Sequence, residues 1–219
     1  MVQRKNNKKL IAIIDLGLGN LFSLSNAFHK ITSKTIKIID NSYLLKNCEE
    51  KISHLILPGV GSFPAAMKKI KENNWQSELL KFKNKKKPIL GICLGMQLFF
   101  EKSFENNIQT KGLNFIEGVV EKLIVNNCEK IPHTGWNNLI EVKNDIILEN
   151  VNLNADFYFT HSFYCNVRNE NEIVAFTDYG HKFPSLIKKD NIFGCQFHPE
   201  KSSDNGIKIL KNFSNFNKC

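Results

Sequence analysis

The chain has 219 residues, and 42% of them are hydrophobic, which is enough to bury the core of one α/β domain. Its net charge of +9 is carried mainly by lysines, which cluster at residues 3–9 and 81–88. No aromatic or arginine-rich motif accompanies these clusters, so we interpret them as solvated faces and expect no nucleic-acid partner. An acidic protein partner is compatible with them. We expect one domain over residues 1–219.

The cysteines and the apolar segments exclude further classes of protein. The six cysteines are scattered without the paired spacing of zinc ligands, so we predict no metal site, and nothing suggests an organic cofactor. This cysteine usage leads us to expect a reduced, cytoplasmic compartment. The apolar run near the N-terminus is too short for a signal peptide core, and no segment has the length of a membrane span, so we expect no membrane partner.

The first half of the chain alternates between strand and helix patterns. Short aliphatic runs predict four strands, at residues 10–15, 35–40, 54–58 and 88–92. Apolar residues at helical spacing predict four helices, at residues 20–31, 62–71, 75–83 and 94–102. Such alternation is typical of a parallel sheet that is covered by helices on both faces.

After about residue 110 the pattern changes to short β-like runs bounded by turns. These runs lie at residues 118–125, 130–142, 156–165, 172–179, 184–189 and 191–197. We expect them to extend the same sheet in a mixed, partly antiparallel way, before a final amphipathic helix at about 203–216. The predicted fold class is therefore α/β, with an open, mostly parallel central sheet, helices on both faces and a partly antiparallel C-terminal extension.

The segment GICLGMQ places Cys93 between Gly91 and Gly95, where a predicted strand turns into a predicted helix. In a G-x-C-x-G elbow the small residues let the backbone take a strained turn, which lifts a nucleophile above the sheet edge. The helix N-terminus favours the thiolate form of a cysteine, and the amide of Leu94 points to where an oxyanion would form. A packed cysteine beside a glycine is the alternative, so the motif needs a base to become a catalytic site.

A histidine and a carboxylate follow near the end of the chain, in QFHPEKS at residues 196–202. His198 and Glu200 are two residues apart, so on an extended backbone their side chains point to the same side. A carboxylate there can fix the imidazole tautomer and leave the other ring nitrogen free to exchange protons with Cys93. A lone histidine is more often structural, but a cysteine elbow followed by His-x-Glu favours a catalytic triad.

The segment PGVG, residues 58–61, stands at the carboxyl end of a predicted strand. Ligands of open α/β sheets bind outside the carboxyl ends of the strands, where Cys93 also emerges. The two glycines let peptide N–H groups approach a substrate closely, so this loop can complete an oxyanion hole. An ordinary strand-to-helix turn is the alternative.

Three motifs, GICLGMQ (91–97), FHPE (197–200) and PGVG (58–61), together resemble those of the class I (triad) glutamine amidotransferases, and the match runs over almost the whole chain. The resemblance implies an enzyme that uses a cysteine nucleophile as a glutaminase. It identifies Cys93, His198 and Glu200 as the catalytic residues. The residues that it places at the substrate or the oxyanion are Pro58, Gly59, Val60, Gly61, Leu94, Gln97, Thr160, His161 and Ser162.

Within that class, DLGLGN (15–20), PHTGWN (132–137) and FTHSFY (159–164) are similar to the glutaminase subunit of imidazole glycerol phosphate synthase. The resemblance implies hydrolysis of glutamine to glutamate and ammonia. It also implies a heterodimer with a cyclase subunit, a (β/α)₈ barrel. That subunit uses the channelled ammonia to make imidazole glycerol phosphate and an aminoimidazole carboxamide ribotide in histidine biosynthesis. The residues implied at the partner interface are Asn20, Trp136 and Lys201.

Two other functions are compatible with the same motifs. A paralogous subunit would supply ammonia for sugar modification in surface-polysaccharide synthesis. A stand-alone γ-glutamyl hydrolase would use the same elbow without a partner. A non-catalytic scaffold is disfavoured because Cys93, His198 and Glu200 are all present. For Trp136, a place in the core is the alternative to the partner interface.

Overall fold

A computed structural model describes residues 9–19, 21–125 and 129–217 of the chain. The strands in this part of the chain are β1 (Leu10–Ile14), β2 (Thr35–Ile39), β3 (Ile52–Gly59), β4 (Ile89–Cys93), β5 (Lys102–Ser103), β6 (Thr110–Lys111), β7 (Gly118–Lys122), β8 (His133–Asn138), β9 (Asp156–His161), β10 (Phe163–Val167), β11 (Ile173–Asp178), β12 (Lys182–Lys189) and β13 (Ile192–Cys195). The α-helices are α1 (Leu21–Ile31), α2 (Ser42–Cys48), α3 (Phe63–Glu72), α4 (Trp75–Asn84), α5 (Leu94–Gln97) and α6 (Ser203–Asn215).

Seven strands form a central sheet in the order β11-β12-β13-β4-β3-β1-β2. The neighbours from β13 to β2 are parallel, whereas β12 and β11 join the sheet antiparallel. Every residue of β1 and β4 is buried, which explains why these strands read as continuous aliphatic runs in the sequence. The predicted mostly parallel sheet with an antiparallel C-terminal extension is confirmed.

Helices cover both faces of this sheet. On one face, α3 and α4 bury Met67 and Phe82 in a core that includes Leu57 of β3. On the other face, α1 and α6 bury Phe28 and Phe213 in a second core. The longest described helix, α6, has 13 residues, and none of the described helices is both long and apolar enough to span a membrane.

Three of the predicted β-like runs, which form the four strands β7 to β10, leave the central sheet. Strands β7 and β10 pair in a four-stranded sheet with β5 and β6, and β8 pairs only with β9 in a two-stranded sheet. The expectation that every run after residue 110 extends the central sheet is therefore wrong for β7 to β10. Strand β9 shows the reason, because it buries only alternate residues, and such a strand suits an outer layer better than a position covered on both faces.

The helix after Cys93 is shorter than the sequence predicted, because α5 ends at Gln97 instead of continuing to residue 102. Leu98, Phe99 and Phe100 are fully buried but do not continue the helix. Their carbonyl groups accept hydrogen bonds from the backbone of residues 113–116, including Leu113 N–H to Leu98 O at 2.9 Å. The chain thus turns away after one helical turn.

The carboxyl ends of three strands meet at one edge of the sheet. In the parallel register, Gly59 of β3 lies opposite Cys93 of β4, and Cys195 of β13 lies opposite Ile92. The PGVG segment, the cysteine elbow and the QFHPEKS segment therefore leave the sheet side by side.

Candidate active site

Cys93 is the last residue of β4, and α5 begins directly after it. Its backbone has φ 53° and ψ −111°, a conformation that residues with a Cβ rarely adopt. The flanking glycines matter for their small size, since neither has a positive φ. A Cβ on Gly95 would lie 1.6 Å from the carbonyl oxygen of Leu57, and one on Gly91 would lie 2.5 Å from Cε2 of Phe99. The glycines allow α5 to pack directly on the strands, and this packing holds Cys93 in its strained turn.

His198 and Glu200 follow β13 and form a buried pair. Nδ1 of His198 lies 2.9 Å from Oε1 of Glu200. Burial by itself lowers the pKa of His198, but the Cys93 sulfur in its thiolate form and the Glu200 carboxylate outweigh it and raise this pKa to about 10. No described oxygen or nitrogen atom forms a hydrogen bond to Nε2 of His198. The imidazole is therefore set to carry a proton beside Cys93 at neutral pH, with Nε2 available for proton transfer.

Two residues that the sequence analysis did not single out hold this pair in place. The backbone N–H of His198 donates to the carbonyl of Tyr158 in β9 at 2.8 Å. The hydroxyl of buried Ser202 donates to the carbonyl of His198 at 2.6 Å and accepts from the N–H of Tyr158 at 2.9 Å. Strand β9 therefore fixes the turn that carries His198. Ser202 is the last residue of the QFHPEKS segment, and its closeness to His198 in the sequence could have indicated this supporting role.

A cavity of about 400 Å³ opens over Cys93. Its lining includes eight of the predicted site residues: Val60, Gly61, Cys93, Leu94, Gln97, Thr160, His161 and Ser162. Glu105, Pro132 and Phe163 also line it and were not predicted. Pro58 and Gly59 instead line a much smaller cavity with His198 and Glu200, and Val60 borders both cavities.

Two polar residues of the large cavity, Gln97 and His161, form hydrogen bonds to other protein groups. Nε2 of Gln97 donates to the carbonyl of Phe163 at 2.9 Å and to Oε1 of Gln196 at 3.1 Å. Both ring nitrogens of His161 are also occupied, Nδ1 by the Phe163 carbonyl at 2.9 Å and Nε2 by His133 at 3.1 Å. Burial lowers the pKa of His161 to about 3, so its ring stays neutral. The His161 ring therefore has no free nitrogen to offer a ligand.

Glu105 is the acidic residue of the large cavity. Its Oε2 accepts a hydrogen bond from the backbone N–H of Phe63 at 2.6 Å, which fixes the carboxylate at the cavity wall. Burial raises the pKa of Glu105, and the hydrogen bond from Phe63 partly offsets this effect. Glu105 lies in a short 3₁₀ turn whose sequence carries no motif, so the sequence offered no signal for it.

The PGVG segment lies beside the elbow. Gly59 pairs with Cys93, and an added Cβ on Gly59 would meet the side chain of Leu94 at 3.2 Å. Gly61 has φ +101°, a conformation that favours glycine. The side chain of Val60 is 40% exposed and approaches Gly19. The segment is therefore in contact with the elbow on one side and open to solvent on the other.

An aromatic patch borders the triad at the surface. Trp136 is 54% exposed, so it is not a core residue. Its ring packs edge-on against Tyr158 with centroids 5.9 Å apart, and Nζ of Lys201 lies 5.5 Å from the centre of the same Tyr158 ring. The structure thus brings Trp136 and Lys201 together through Tyr158. Asn20, the third residue implied at the interface, lies outside the described residues.

Other features of the described chain do not compete with this site. A groove of about 550 Å³ runs along residues 142–153, but none of the triad residues lines it. Among the described residues, no group of three or more His, Cys, Asp or Glu side chains is arranged to hold a metal ion.

Comparisons with known proteins agree with this geometry. The glutamine amidotransferase class-I family model matches residues 12–215. Imidazole glycerol phosphate synthase subunit HisH 1 of Campylobacter jejuni subsp. jejuni is 46% identical over 209 residues, which cover 94% of this chain and 99% of that protein. The HisH subunit of Caldanaerobacter subterraneus subsp. tengcongensis is 46% identical over 211 residues, which cover 96% of this chain and 100% of that protein.

Among solved structures, PurLQS from Thermotoga maritima superposes with a TM-score of 0.70 at 19% identity, over 95% of this chain and 98% of that chain. A structure described as a glutamine amidotransferase superposes with a TM-score of 0.67 at 18% identity, over 93% of this chain and 98% of that chain. At these identities the two structures show a shared fold. Together with the family match and the relatives, they show that the chain belongs to the class-I glutamine amidotransferases, in the family of the HisH subunits of imidazole glycerol phosphate synthase.

Proposed function

We propose that this chain is the glutaminase subunit of an imidazole glycerol phosphate synthase and works as one amidotransferase domain over residues 1–219. One observation carries the proposal: Cys93 stands at a strained elbow that faces a cavity of about 400 Å³, beside a His198–Glu200 pair joined at 2.9 Å. A nucleophile, a base and a group that orients the base are the parts that thioester chemistry requires.

In the proposed reaction, the Cys93 thiolate attacks the side-chain carboxamide carbon of glutamine. The tetrahedral intermediate places a negative charge on the former carbonyl oxygen. We assign the amides of Leu94 and of Gly59 and Val60 as the donors that stabilise this oxyanion. Leu94 begins α5 directly after Cys93, and Gly59 pairs with Cys93 across the sheet, so both segments lie beside the nucleophile.

His198 carries out the proton transfers. Its imidazolium donates a proton to the leaving nitrogen as the carbon–nitrogen bond breaks, which releases ammonia and leaves a glutamyl thioester on Cys93. The neutral imidazole then takes a proton from water, whose oxygen attacks the thioester and releases glutamate and the thiolate. Glu200 holds Nδ1 of His198 throughout, so Nε2 stays directed to the reaction.

We assign the part of the cavity around Glu105 to the amino-acid part of the substrate. The Glu105 carboxylate is the acidic group there, and an α-ammonium group is its natural partner. Thr160, Ser162 and Gly61 border the same space and offer backbone and hydroxyl groups. Gln97 has both donors occupied, so its carbonyl oxygen is the group that it can offer to the substrate amide.

We propose that the partner is a cyclase subunit with a (β/α)₈ barrel, as in the synthases named for the relatives. It would receive the ammonia shielded from solvent and make imidazole glycerol phosphate and an aminoimidazole carboxamide ribotide. The patch of exposed Trp136 and Lys201 around the half-buried Tyr158 borders the triad and suits a docking surface, since exposed aromatic and charged residues make strong anchors. Asn20 stays a proposed contact.

We further propose that glutaminase activity is conditional. The PGVG segment touches the elbow through Gly59 and is exposed at Val60, so a partner and its nucleotide can reach it and bring its amides to the oxyanion. Such coupling would prevent ammonia from being released without an acceptor.

The test is to measure glutamate release by the chain alone, with a cyclase subunit, and with the cyclase plus its nucleotide ligand. The Cys93→Ala variant is the control in each mixture. We expect full activity only in the third mixture and none in the variant. Equal activity in all three wild-type mixtures would contradict the conditional glutaminase and favour a stand-alone γ-glutamyl hydrolase. Activation by a sugar-modifying partner but not by a cyclase would favour the paralogous function.

A further inference from the structure

A buried glutamine outside the predicted site contacts the Cys93 sulfur. Gln196 is fully buried and directly follows β13. Its Nε2 lies 3.7 Å from Sγ of Cys93. Its backbone N–H donates to the carbonyl of Ser185 in β12 at 2.9 Å, which anchors the residue to the central sheet. Gln196 therefore approaches the nucleophile from the protein interior, on a rigid support.

The orientation of the Gln196 amide is fixed by Gln97. Nε2 of Gln97 donates to Oε1 of Gln196 at 3.1 Å, so the NH₂ group of Gln196 must face the sulfur. The reverse orientation would place two NH₂ groups against each other. Gln97 is itself held, because its Nε2 also donates to the carbonyl of Phe163 at 2.9 Å.

A chain of hydrogen bonds runs from the Phe163 carbonyl through two histidines, and each donor and acceptor in it can be assigned. The same carbonyl accepts from Nδ1 of His161 at 2.9 Å, which makes Nε2 of His161 the acceptor for Nδ1–H of His133 at 3.1 Å. Nε2 of His133 is then the acceptor for Nδ2 of Asn137 at 3.5 Å. Burial lowers the pKa of His161 to about 3 and that of His133 to about 4, so each neutral ring supplies one donor and one acceptor. Every donor behind Gln97 meets an acceptor.

The two protonation forms of Cys93 find different partners. A thiol can donate its proton to the carbonyl of Thr160, which lies 3.8 Å from Sγ. A thiolate has no proton to donate and is stabilised by hydrogen-bond donors. The Gln196 amide is such a donor, and a hydrogen bond to an ionised acceptor is about twice as strong as a neutral one.

We infer that Gln196 is a positioning residue for the reaction: its side-chain N–H holds the Cys93 sulfur and favours the thiolate in the resting site. This inference rests on the proposed role of Cys93 as the nucleophile. A purely structural role is the alternative, in which Gln196 only fills the core and supports Gln97.

The Gln196→Glu and Gln196→Met variants together separate these two roles. A glutamate has the same shape and still accepts the hydrogen bond from Gln97, so the structural role is kept. It places a carboxylate oxygen against the sulfur in place of N–H, so the positioning role is lost. Gln76→Glu makes the same substitution at an exposed position of α4 and is the matched control.

The first readout is the rate at which iodoacetamide alkylates Cys93 in the full chain as a function of pH, followed by peptide mass spectrometry. Burial raises the pKa of the Cys165 and Cys195 thiols, so these two core cysteines react slowly and do not obscure Cys93. The second readout is kcat and KM for glutamine with the cyclase and its nucleotide. A melting curve checks that each variant folds.

For both variants we expect the alkylation midpoint to move up, because the thiolate loses its N–H donor. In Gln196→Glu the like charge adds to this effect, so the rise should reach about one pH unit or more. We expect kcat to fall roughly tenfold or more while KM changes less than about threefold, since the substrate contacts remain. Gln76→Glu should match the wild type in both readouts.

Gln196→Met lacks both polar groups, keeps the chain length and adds no charge, so a raised alkylation midpoint in this variant assigns the effect to the lost N–H donor. An unchanged midpoint in either variant would overturn the inference, whatever happens to kcat. The alkylation readout does not depend on glutaminase activity. Failure of the proposed function would instead appear as glutaminase activity that survives in Cys93→Ala.

Discussion

Replacing Gly95 by alanine tests whether the packing of α5 on β3 holds the nucleophile in place. The new Cβ would lie 1.6 Å from the carbonyl oxygen of Leu57 and 2.7 Å from its carbonyl carbon, whereas real Cβ contacts stay above 3.0 Å. The nearest atoms belong to the backbone, so no side-chain rotation relieves the clash. The start of α5 must therefore move away from β3 by more than about 1 Å, because protein interiors have no spare volume there.

Two effects of this displacement can be estimated. Overpacking of a well-packed core costs about 1–3 kcal/mol of unfolding free energy. In a domain of this size each kcal/mol lowers Tm by about 2–4 °C. A shift of about 1 Å at a reacting atom can lower the rate by about 100-fold. Cys93 immediately precedes α5, so we expect Gly95→Ala to lose about 100-fold in glutaminase kcat/KM, measured with the cyclase and its nucleotide.

Gly194→Ala is the matched control. Gly194 lies in β13 opposite Gly91, and its added Cβ would meet Cγ of Met96 at 2.7 Å and Cγ1 of Ile187 at 2.9 Å. These atoms belong to side chains that can rotate, so we expect a loss of Tm but a kcat/KM within about tenfold of the wild type. A Gly95→Ala variant with wild-type kinetics and Tm would refute the packing argument. Equal losses of kcat/KM in both variants would attribute the effect to general destabilisation.

Three further predictions concern charge, docking and pH. Glu200→Gln keeps an acceptor for His198 but removes a charge that raises its pKa, so kcat should fall roughly 100-fold and the basic limb of the pH profile should move to lower pH. Trp136→Ala should weaken binding of the cyclase about 30-fold, or about 2 kcal/mol, in titration calorimetry, because the ring is exposed at the proposed interface. Burial lowers the pKa of His54 and of His133 to about 4 and that of His161 to about 3, and unfolded histidines titrate near 6.5. Below pH 6.5 the folded state then binds fewer protons than the unfolded chain, so the urea midpoint should fall steadily as the pH drops towards 4. Above pH 6.5 the raised pKa of His198 acts in the opposite direction, so the midpoint should peak near pH 6.5.

Each of these predictions has an outcome that contradicts it. If the basic limb of the pH profile does not move in Glu200→Gln, the Glu200 carboxylate does not raise the pKa of His198. Tyr43→Ala removes another exposed aromatic ring, from α2, and equal weakening by both aromatic variants would refute the assignment of Trp136 to the interface. A urea midpoint that stays constant between pH 8 and pH 5 would show that the buried histidines do not control acid stability.

The central sheet and the triad were predictable because their signals are local. The aliphatic runs of β1 and β4 reflect burial on both faces of the sheet, and that burial restricts composition wherever it occurs. His198 and Glu200 are two residues apart, so their shared direction follows from the backbone alone. The strained turn at Cys93 and the need for small residues beside it were predicted, but the contact of Gly95 with Leu57 of β3 depends on tertiary packing and was not.

The pairing of the outer strands and the roles of Gln196 and Glu105 were not predicted, because they depend on contacts between parts of the chain that are distant in the sequence. The run at 156–165 splits at Ser162, so β9 pairs with β8 and β10 pairs with β7, and only tertiary packing decides this. Gln196 and His198 are two residues apart, so on an extended backbone their side chains point to the same side. This spacing was the one feature of the sequence that could have indicated a role for Gln196 at the site. Glu105 reaches the cavity from a short 3₁₀ turn without a motif, and the hydrogen bond from Phe63 that fixes its carboxylate there is a tertiary contact.

The most direct test of the central claim is to trap the covalent intermediate. The chain, a cyclase subunit, its nucleotide ligand and labelled glutamine are mixed, quenched in acid during turnover and digested, and the labelled peptide is identified by mass spectrometry. We predict a glutamyl group on Cys93 that hydroxylamine releases, and none in Cys93→Ala. A label on another residue, or rapid turnover with no acyl group on Cys93, would contradict the mechanism.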